Sequence, residues 1–230
     1  MPTIDTSDER VAAAIAEQQE LRARVRLHDD YSELQLVAGV DAGFEADGTL
    51  IRAAVVVVRL PDLAPVDYAL VRQPVTFPYV PGLLAFREAP AIIAAIRQLR
   101  TTPDLIICDG HGIAHPRRCG IACHIGVLLD LPAIGCAKQR LIGRFTEPLP
   151  ERGDRSPLYD GDDLIGWVVR TRATARPVFI SPGHRVSLER APDLVMACTT
   201  RFRLPEPTRL AHRLASHDDA PLTSDSPPLL

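Results

Sequence analysis

Two apolar, β-branched runs joined by a tight-turn signal constrain this chain more than any other feature. QLVAGVDAGF (35–44) and IRAAVVVVRL (51–60) flank the pentapeptide EADGT. Valine and isoleucine suit a pleated, packed backbone, and Asp-Gly between such runs marks a hairpin. A third run, VDYALVRQ (66–73), follows. Together they read as an antiparallel meander.

Downstream the pattern changes. EAPAIIAAIRQL (88–99) predicts a helix and DLIICDG (104–110) a short apolar strand. CGIACHIGVLLD (119–130) predicts a buried helix, and PAIGCAKQ (132–139) another short strand. Helices alternating with strands imply parallel pairing. DLIGWVVR (163–170) and PVFISPG (177–183) add strands, including an edge hairpin. SLERAPDLVMAC (187–198) predicts a helix started by Ser187, and PTRLAHRLA (207–215) one with proline in its first turn. At the N-terminus, Thr6 and Glu9 form a capping pattern ahead of a long surface helix over about residues 7–27. A meander feeding a parallel α/β half is the organisation of the ribonuclease H-like fold: α/β, with a mixed central sheet flanked by helices. The 230 residues contain no repeat and no linker, so residues 1–215 are expected to form one domain. The polar, Pro-rich residues 216–230 are expected to be a disordered tail.

Composition narrows the setting. No run of about 18 apolar residues predicts a membrane span, and the N-terminus lacks a signal-peptide pattern. Five cysteines, odd in number and mostly in apolar runs, suit a reducing cytoplasm rather than a disulfide framework. The net charge of -3 gives no global basic signature, so a nucleic acid would have to meet a local patch. Of the 26 basic residues only Lys138 is lysine, and it lies just past an apolar run.

Chemistry concentrates in a few places. Asp41 interrupts an apolar strand, and Asp109 ends another. A buried aspartate is costly unless it is paired or binds a cation, and two on separate strands suggest a shared site. Asp-Gly at 109–110 also reads as a plain turn, whereas Asp41 has its turn well beyond it. Carboxylate oxygens favour Mg²⁺ or Mn²⁺. Glu88 reads either as a first-turn acid on a helix dipole or as a third acid of the same centre. DGHGIAHPRR (109–118) adds histidines, arginines and permissive glycines. Cys119, Cys123 and His124 lie in a buried helix pattern without a fourth ligand, so they read as core. FPYVPGLLAFRE (77–88) is too proline-rich for a helix interior or a central strand. It reads as a rigid apolar loop, either packed down or made to insert.

VAGVDAGF, PYVPGLLAFRE, DGHGIAHPRRCGIACHIGVLLDLPAIGCAKQRLIG, SPGHRVSL and RLPEPTRLAHRLA, in this order, resemble the motif set of endonuclease V, the deoxyinosine 3′ endonuclease. The resemblance runs from about residue 10 to about residue 215. It implies a Mg²⁺-dependent nuclease, for which Mn²⁺ can substitute. Such an enzyme acts on DNA with deaminated bases and cuts the second phosphodiester bond 3′ of the lesion, leaving 3′-hydroxyl and 5′-phosphate ends. By the same resemblance Asp41 and Asp109 are metal-binding aspartates, Glu88 is the third acid, and His212 fills the last site position. Lys138 stands beside the scissile phosphate and His115 near the substrate. Pro78, Tyr79, Val80 and Pro81 form a wedge, with valine at position 80 where isoleucine is usual. Gly82, Leu84, Gly112 and Ile121 become candidates for the lining of the base pocket. Cleavage of inosine-containing RNA and non-catalytic binding of damaged DNA stay open as alternatives. A monomer is expected.

Overall fold

The opening runs form the expected meander. β1 (Leu36–Glu45) and β2 (Leu50–Arg59) pair antiparallel, and β3 (Ala64–Pro74) continues on β2. The β1–β2 connection has Asp47 and Gly48 at positive φ, 58° and 83°. Consecutive left-handed residues give the turn that twisted strands require. These elements belong to a computed structural model that describes residues 8–216. The expected Thr6 cap and the tail beyond Ser216 lie outside the described residues.

α2 (Leu84–Ile96) crosses from β3 to β4 (Leu105–Cys108), which runs parallel to β1. α3 (Ile121–Leu129) then leads to β5 (Ala133–Ala137), parallel to β4. β6 (Arg155–Asp160), β7 (Asp163–Val169) and β8 (Val178–His184) extend the sheet antiparallel from β5. The eight strands follow the order β3-β2-β1-β4-β5-β8-β7-β6.

Both faces are covered, which explains the unbroken valine run of β2. Val55 and Val57 pack with α2 and α3. Val56 and Val58 pack on the other face with α4 (Ala191–Ala197) and α5 (Glu206–Ser216). α1 (Asp8–Ala23) lies outside α3, with Leu21 packed among Cys119, Cys123 and Val127. Among the described residues no helix is long and apolar enough to cross a membrane. All five cysteines are buried and free.

Several boundaries differ from expectation. α1 is not a free surface helix: Ala14, Gln18 and Leu21 are buried, and it ends at Ala23, where turn bonds from Arg24 to Leu21 and Val25 to Arg22 close it. The chain then bonds the segment just past β8, with the Arg185 amide donating to the Arg26 carbonyl at 2.7 Å. α2 starts at Leu84 and carries Pro90 inside it, so Glu88 sits in its second turn. The first-turn dipole reading of Glu88 therefore fails. α4 itself starts at Ala191, and Ser187 caps the turn that leads into it, its Oγ accepting from the Arg190 amide at 3.3 Å while hydroxyl and amide also bind the Asp29 carboxylate, each at 2.9 Å. β6 was not foreseen, because Pro157 disguises it; an edge strand tolerates a proline.

One glycine sets the distance between sheet and α5. A Cβ at Gly39 would lie 2.0 Å from the Pro207 carbonyl carbon. Gly39→Ala is therefore expected to cost about 1–3 kcal/mol in urea unfolding, as overpacking does. Gly43→Ala, on the same strand with nothing within 4 Å of the added carbon, is the control and should change stability far less.

Candidate active site

The acids meet through strand register. Val40 of β1 lies opposite Cys108 of β4, and Cys108 opposite Gly135 of β5. One step further, the Asp109 amide donates to the Val40 carbonyl at 3.3 Å. Asp41 and Asp109 thus stand at the carboxyl ends of the parallel pairing, where open α/β sheets form crevices. β1 runs on to Glu45 because β2 still pairs with it, so Asp41 reads as mid-strand although β4 has already ended.

Other elements close around them. Lys138 follows the end of β5, and its Nζ lies 2.6 Å from Asp109 Oδ2. α5 brings His212 Nδ1 to 2.8 Å from Asp41 Oδ2. α2 brings Glu88 from the other side. Asp41, Glu88 and Asp109 share a cavity of about 190 Å³ with Ala42, Cys108 and Ile121. Burial, followed by the charges of Asp41 and Asp109, pushes the Glu88 carboxyl up to about 8. Burial also raises Asp109, against the lowering effect of Lys138. The hydrogen bond to Asp41 raises His212.

A second cavity, of about 240 Å³, adjoins the first and shares Leu84, Glu88, Asp109 and Ile121 with it. Its mouth carries Tyr79, 68% exposed, and Leu141, 50% exposed. Val80, Pro81 and Gly82 form one wall, with Gly110, His111, His115 and Gly120 beyond. The Leu83 amide donates to the Val80 carbonyl at 2.9 Å, and Gly82 has φ of 80°. A Pro-Gly pair at the centre of such a turn fits type II geometry. Phe77 and Leu83 are buried against Ala14 of α1. The apolar loop is therefore packed down at both ends and bare at its tip. Burial pushes His111 and His115 each down to about 4, so both are neutral at physiological pH.

Most of the expected residues converge here: Asp41, Glu88 and Asp109 on one cavity, and Tyr79, Val80, Pro81, Gly82, Leu84, His115 and Ile121 on the other. Pro78 stands behind the tip, off the cavity wall. Gly112 is a correction. It is buried beneath the site, its amide donates to Ser181 Oγ at 2.8 Å, and a Cβ there would lie 2.1 Å from the Pro182 carbonyl oxygen. Its close approach is to β8 backbone, not to a ligand. Gly110 and Gly120 are the lining glycines. Gln18 and Leu141 were missed. Leu141 left a faint signal, an apolar residue in a polar loop; Gln18 left none, since exposed and buried glutamines read alike on a helix.

The endonuclease V profile matches residues 19–213. An endonuclease V of Roseiflexus sp. is 54% identical over 211 residues, 92% of this chain and 94% of that one. The chain belongs to the endonuclease V family. The crystal structure of endonuclease V from Streptomyces avermitilis superposes with a TM-score of 0.86 at 42% identity, covering 94% of this chain and 95% of that one. A Ciona intestinalis endonuclease V, solved with a 24mer DNA containing an inosine followed by a ribo-adenosine, gives 0.75 at 28% identity over 91% of this chain and 97% of that one. The sheet is the ribonuclease H-like frame of this family of metal-dependent nucleases.

The acids fit a hard divalent cation. Three carboxylates line one cavity, and Glu88 is raised there first by burial and then by the charges of Asp41 and Asp109. Among the described residues no three His, Cys, Asp or Glu side chains form a ready-made cage. A pH dependence follows. Glu88, Asp109 and His212 all have folded-state values above their ordinary ones, so each stabilises the fold at low pH and loses that contribution as pH rises. Buried His111, His115 and His124, each pushed down to about 4, act in the opposite sense between pH 5 and 8, so the effect is read as a difference. The thermal midpoint of metal-free Glu88→Gln should gain on that of the unsubstituted chain as pH rises from about 5 to about 8, and divalent cation should raise the unsubstituted chain's midpoint more at pH 8 than at pH 5; scanning calorimetry across this range checks both.

Proposed function

We propose that this endonuclease hydrolyses DNA beside deaminated bases, chiefly hypoxanthine, at the second phosphodiester bond 3′ of the lesion. The observation that carries this reading is the pair of adjoining cavities with four shared wall residues, one acid-lined and one apolar beneath an exposed tyrosine. An apolar recess of this kind suits a base taken out of the stack. Tyr79 then fills the gap left behind, where stacking is worth about 1–3 kcal/mol. The Ciona relative, bound to inosine-containing DNA, supports the choice of base.

Asp41 and Asp109 would hold Mg²⁺, with Mn²⁺ as a substitute, and the ion would polarise a phosphoryl oxygen and lower the pKa of a bound water. The chain's own groups do the rest. Water oxygen attacks phosphorus, the bond to the 3′ oxygen breaks, and that oxygen takes up a proton. His212, whose Nδ1 is held by Asp41, can accept the proton that the water loses; Glu88, which carries a proton at neutral pH in the metal-free site, can do so only once a cation has drawn that proton off. Lys138, beside Asp109, offers an ammonium to the phosphoryl oxygens as their charge grows. A compact ammonium serves there better than a planar guanidinium, in a chain whose other basic residues are all arginine.

Nicking of matched inosine-containing DNA and RNA duplexes, with and without Mg²⁺, tests the reading. Cation-dependent cleavage one nucleotide beyond the lesion's own 3′ bond, stronger on DNA, is the expected result. Preference for RNA would assign the enzyme to inosine-containing transcripts, and tight binding without nicking in any metal would leave a binder. Asp41→Ala and Asp109→Ala should each abolish nicking with circular dichroism unchanged; near-normal rates in either would refute the cation assignment. Lys138→Ala should lower the single-turnover rate by roughly 10²–10³-fold, the range for one preorganised donor, while affinity in Ca²⁺ changes much less. Were Lys138 only a phosphate contact, the rate would hold and the salt slope of binding would drop by about one unit.

A further inference from the structure

At the root of the wedge lies a buried polar junction that the chemistry above does not use. Gln18 of α1 is fully buried. Its Nε2 donates to the carbonyl oxygens of Cys119, at 2.6 Å, and Gly82, at 3.2 Å. Its Oε1 accepts from Arg117 Nε. Arg117 donates through its other nitrogen to the same Gly82 carbonyl at 2.6 Å. His115 uses Nδ1 to accept from the Arg117 amide at 3.1 Å, which ties the backbone of Arg117 to the same junction. Two side-chain donors therefore converge on one carbonyl oxygen, at the residue that completes the Pro81-Gly82 turn. The guanidinium also fills the space beside it, since a Cβ at Gly82 would stand 2.7 Å from Arg117.

From this convergence we infer that Gln18 is a positioning residue for the wedge, orienting Arg117 and the Gly82 carbonyl so that Tyr79 is held at a fixed height above the cavity. This rests on the reading of Tyr79 as a wedge. A buried amide with both its oxygen and its nitrogen engaged is a stiff joint, because breaking any one bond strands a polar group out of water. The joint links segments far apart in the chain, so it fixes the loop against α1 and the start of α3 rather than merely tightening the turn. A loop ordered in advance loses little entropy on insertion, and more of the stacking energy is kept. Only a duplex presents a gap to fill; a single strand places no demand on the height of Tyr79.

The full chain carrying Gln18→Met tests this, with Arg117→Met as the second variant and Tyr79→Ala as the reference. Single-turnover nicking is measured on inosine in duplex and in single-stranded DNA, with the exchange rate of the Leu83 amide followed in parallel. Gln18→Met and Arg117→Met should each depress duplex nicking about tenfold more than single-strand nicking, a loss on the scale of a small misplacement of reacting partners. Both should speed exchange at Leu83, and neither should add to the duplex defect in the Tyr79→Ala background. Equal losses on the two substrates, additivity with Tyr79→Ala, or unchanged exchange at Leu83 would overturn the assignment and leave Gln18 as core. If Tyr79→Ala itself proves indifferent to strandedness, the wedge reading falls, and the positioning role falls with it. Should Gln18→Met fail to fold, the half-exposed Arg117 gives the same decision from the other side of the joint.

Discussion

Val40 opposite Cys108 is the pairing on which the site depends, because it sets Asp41 and Asp109 side by side at the ends of parallel strands. Two carboxylates held this way repel, and a half-buried setting screens them poorly. The fold answers with a partner for each: the Lys138 ammonium from the end of β5 on Asp109, and a His212 hydrogen bond from α5 on Asp41. Among the described residues Glu88 has no such partner, and its carboxyl is the one driven furthest, to about 8. The remaining imbalance is what a divalent ion would relieve. Geometry set by backbone pairing thus produces the electrostatic demand that the chemistry needs.

That arrangement holds only if the sheet cannot slip. β1 and β2 are covered on both faces, so a shift of one residue would swap the valine rows of β2 between the two helical layers and force both to repack. Gly39 contributes in a different way. By lacking a side chain it lets the first turn of α5 rest on β1, and the helix then carries His212 to the Asp41 carboxylate. The same helix is clamped from below, where Arg52 donates to the Leu214 carbonyl at 3.0 Å. Rigidity in the apolar layers fixes the directions of a few polar groups at their edge.

How much of this the sequence carried depends on the kind of information each residue bears. The meander, the parallel pairing and the anomaly of Asp41 are legible because they rest on local pattern and on the cost of an acid among valines. Glu88 was placed one turn wrong, since FPYVPGLLAFRE was read as loop to its end when α2 already starts at Leu84. Gly112 was misread for a related reason. A glycine reports that something approaches closely, but not whether that something is a ligand or, as here, the carbonyl of Pro182. β6 hid behind Pro157, and Gln18 behind the ordinary look of a polar helix residue. Roles drawn from long-range contact leave no local mark, so for Tyr79, Lys138 and His212 the resemblance to a family supplied what periodicity could not.

The shared walls suggest how recognition and cleavage are joined. Leu84 and Ile121 separate the two cavities, and Glu88 and Asp109 reach both. A base seated in the larger cavity would pack against the same aliphatic side chains that border the acids. It would also exclude water from one side of Glu88 and Asp109, strengthening every charge interaction there. An empty or poorly filled recess would leave those carboxylates more solvated and less directed. No hinge or moving lid is needed for such coupling, only two recesses with a common wall. On the proposed reading the wedge would add the third element, since a tip held above the larger cavity would keep the displaced base from returning to its stack while the phosphate lay against Lys138.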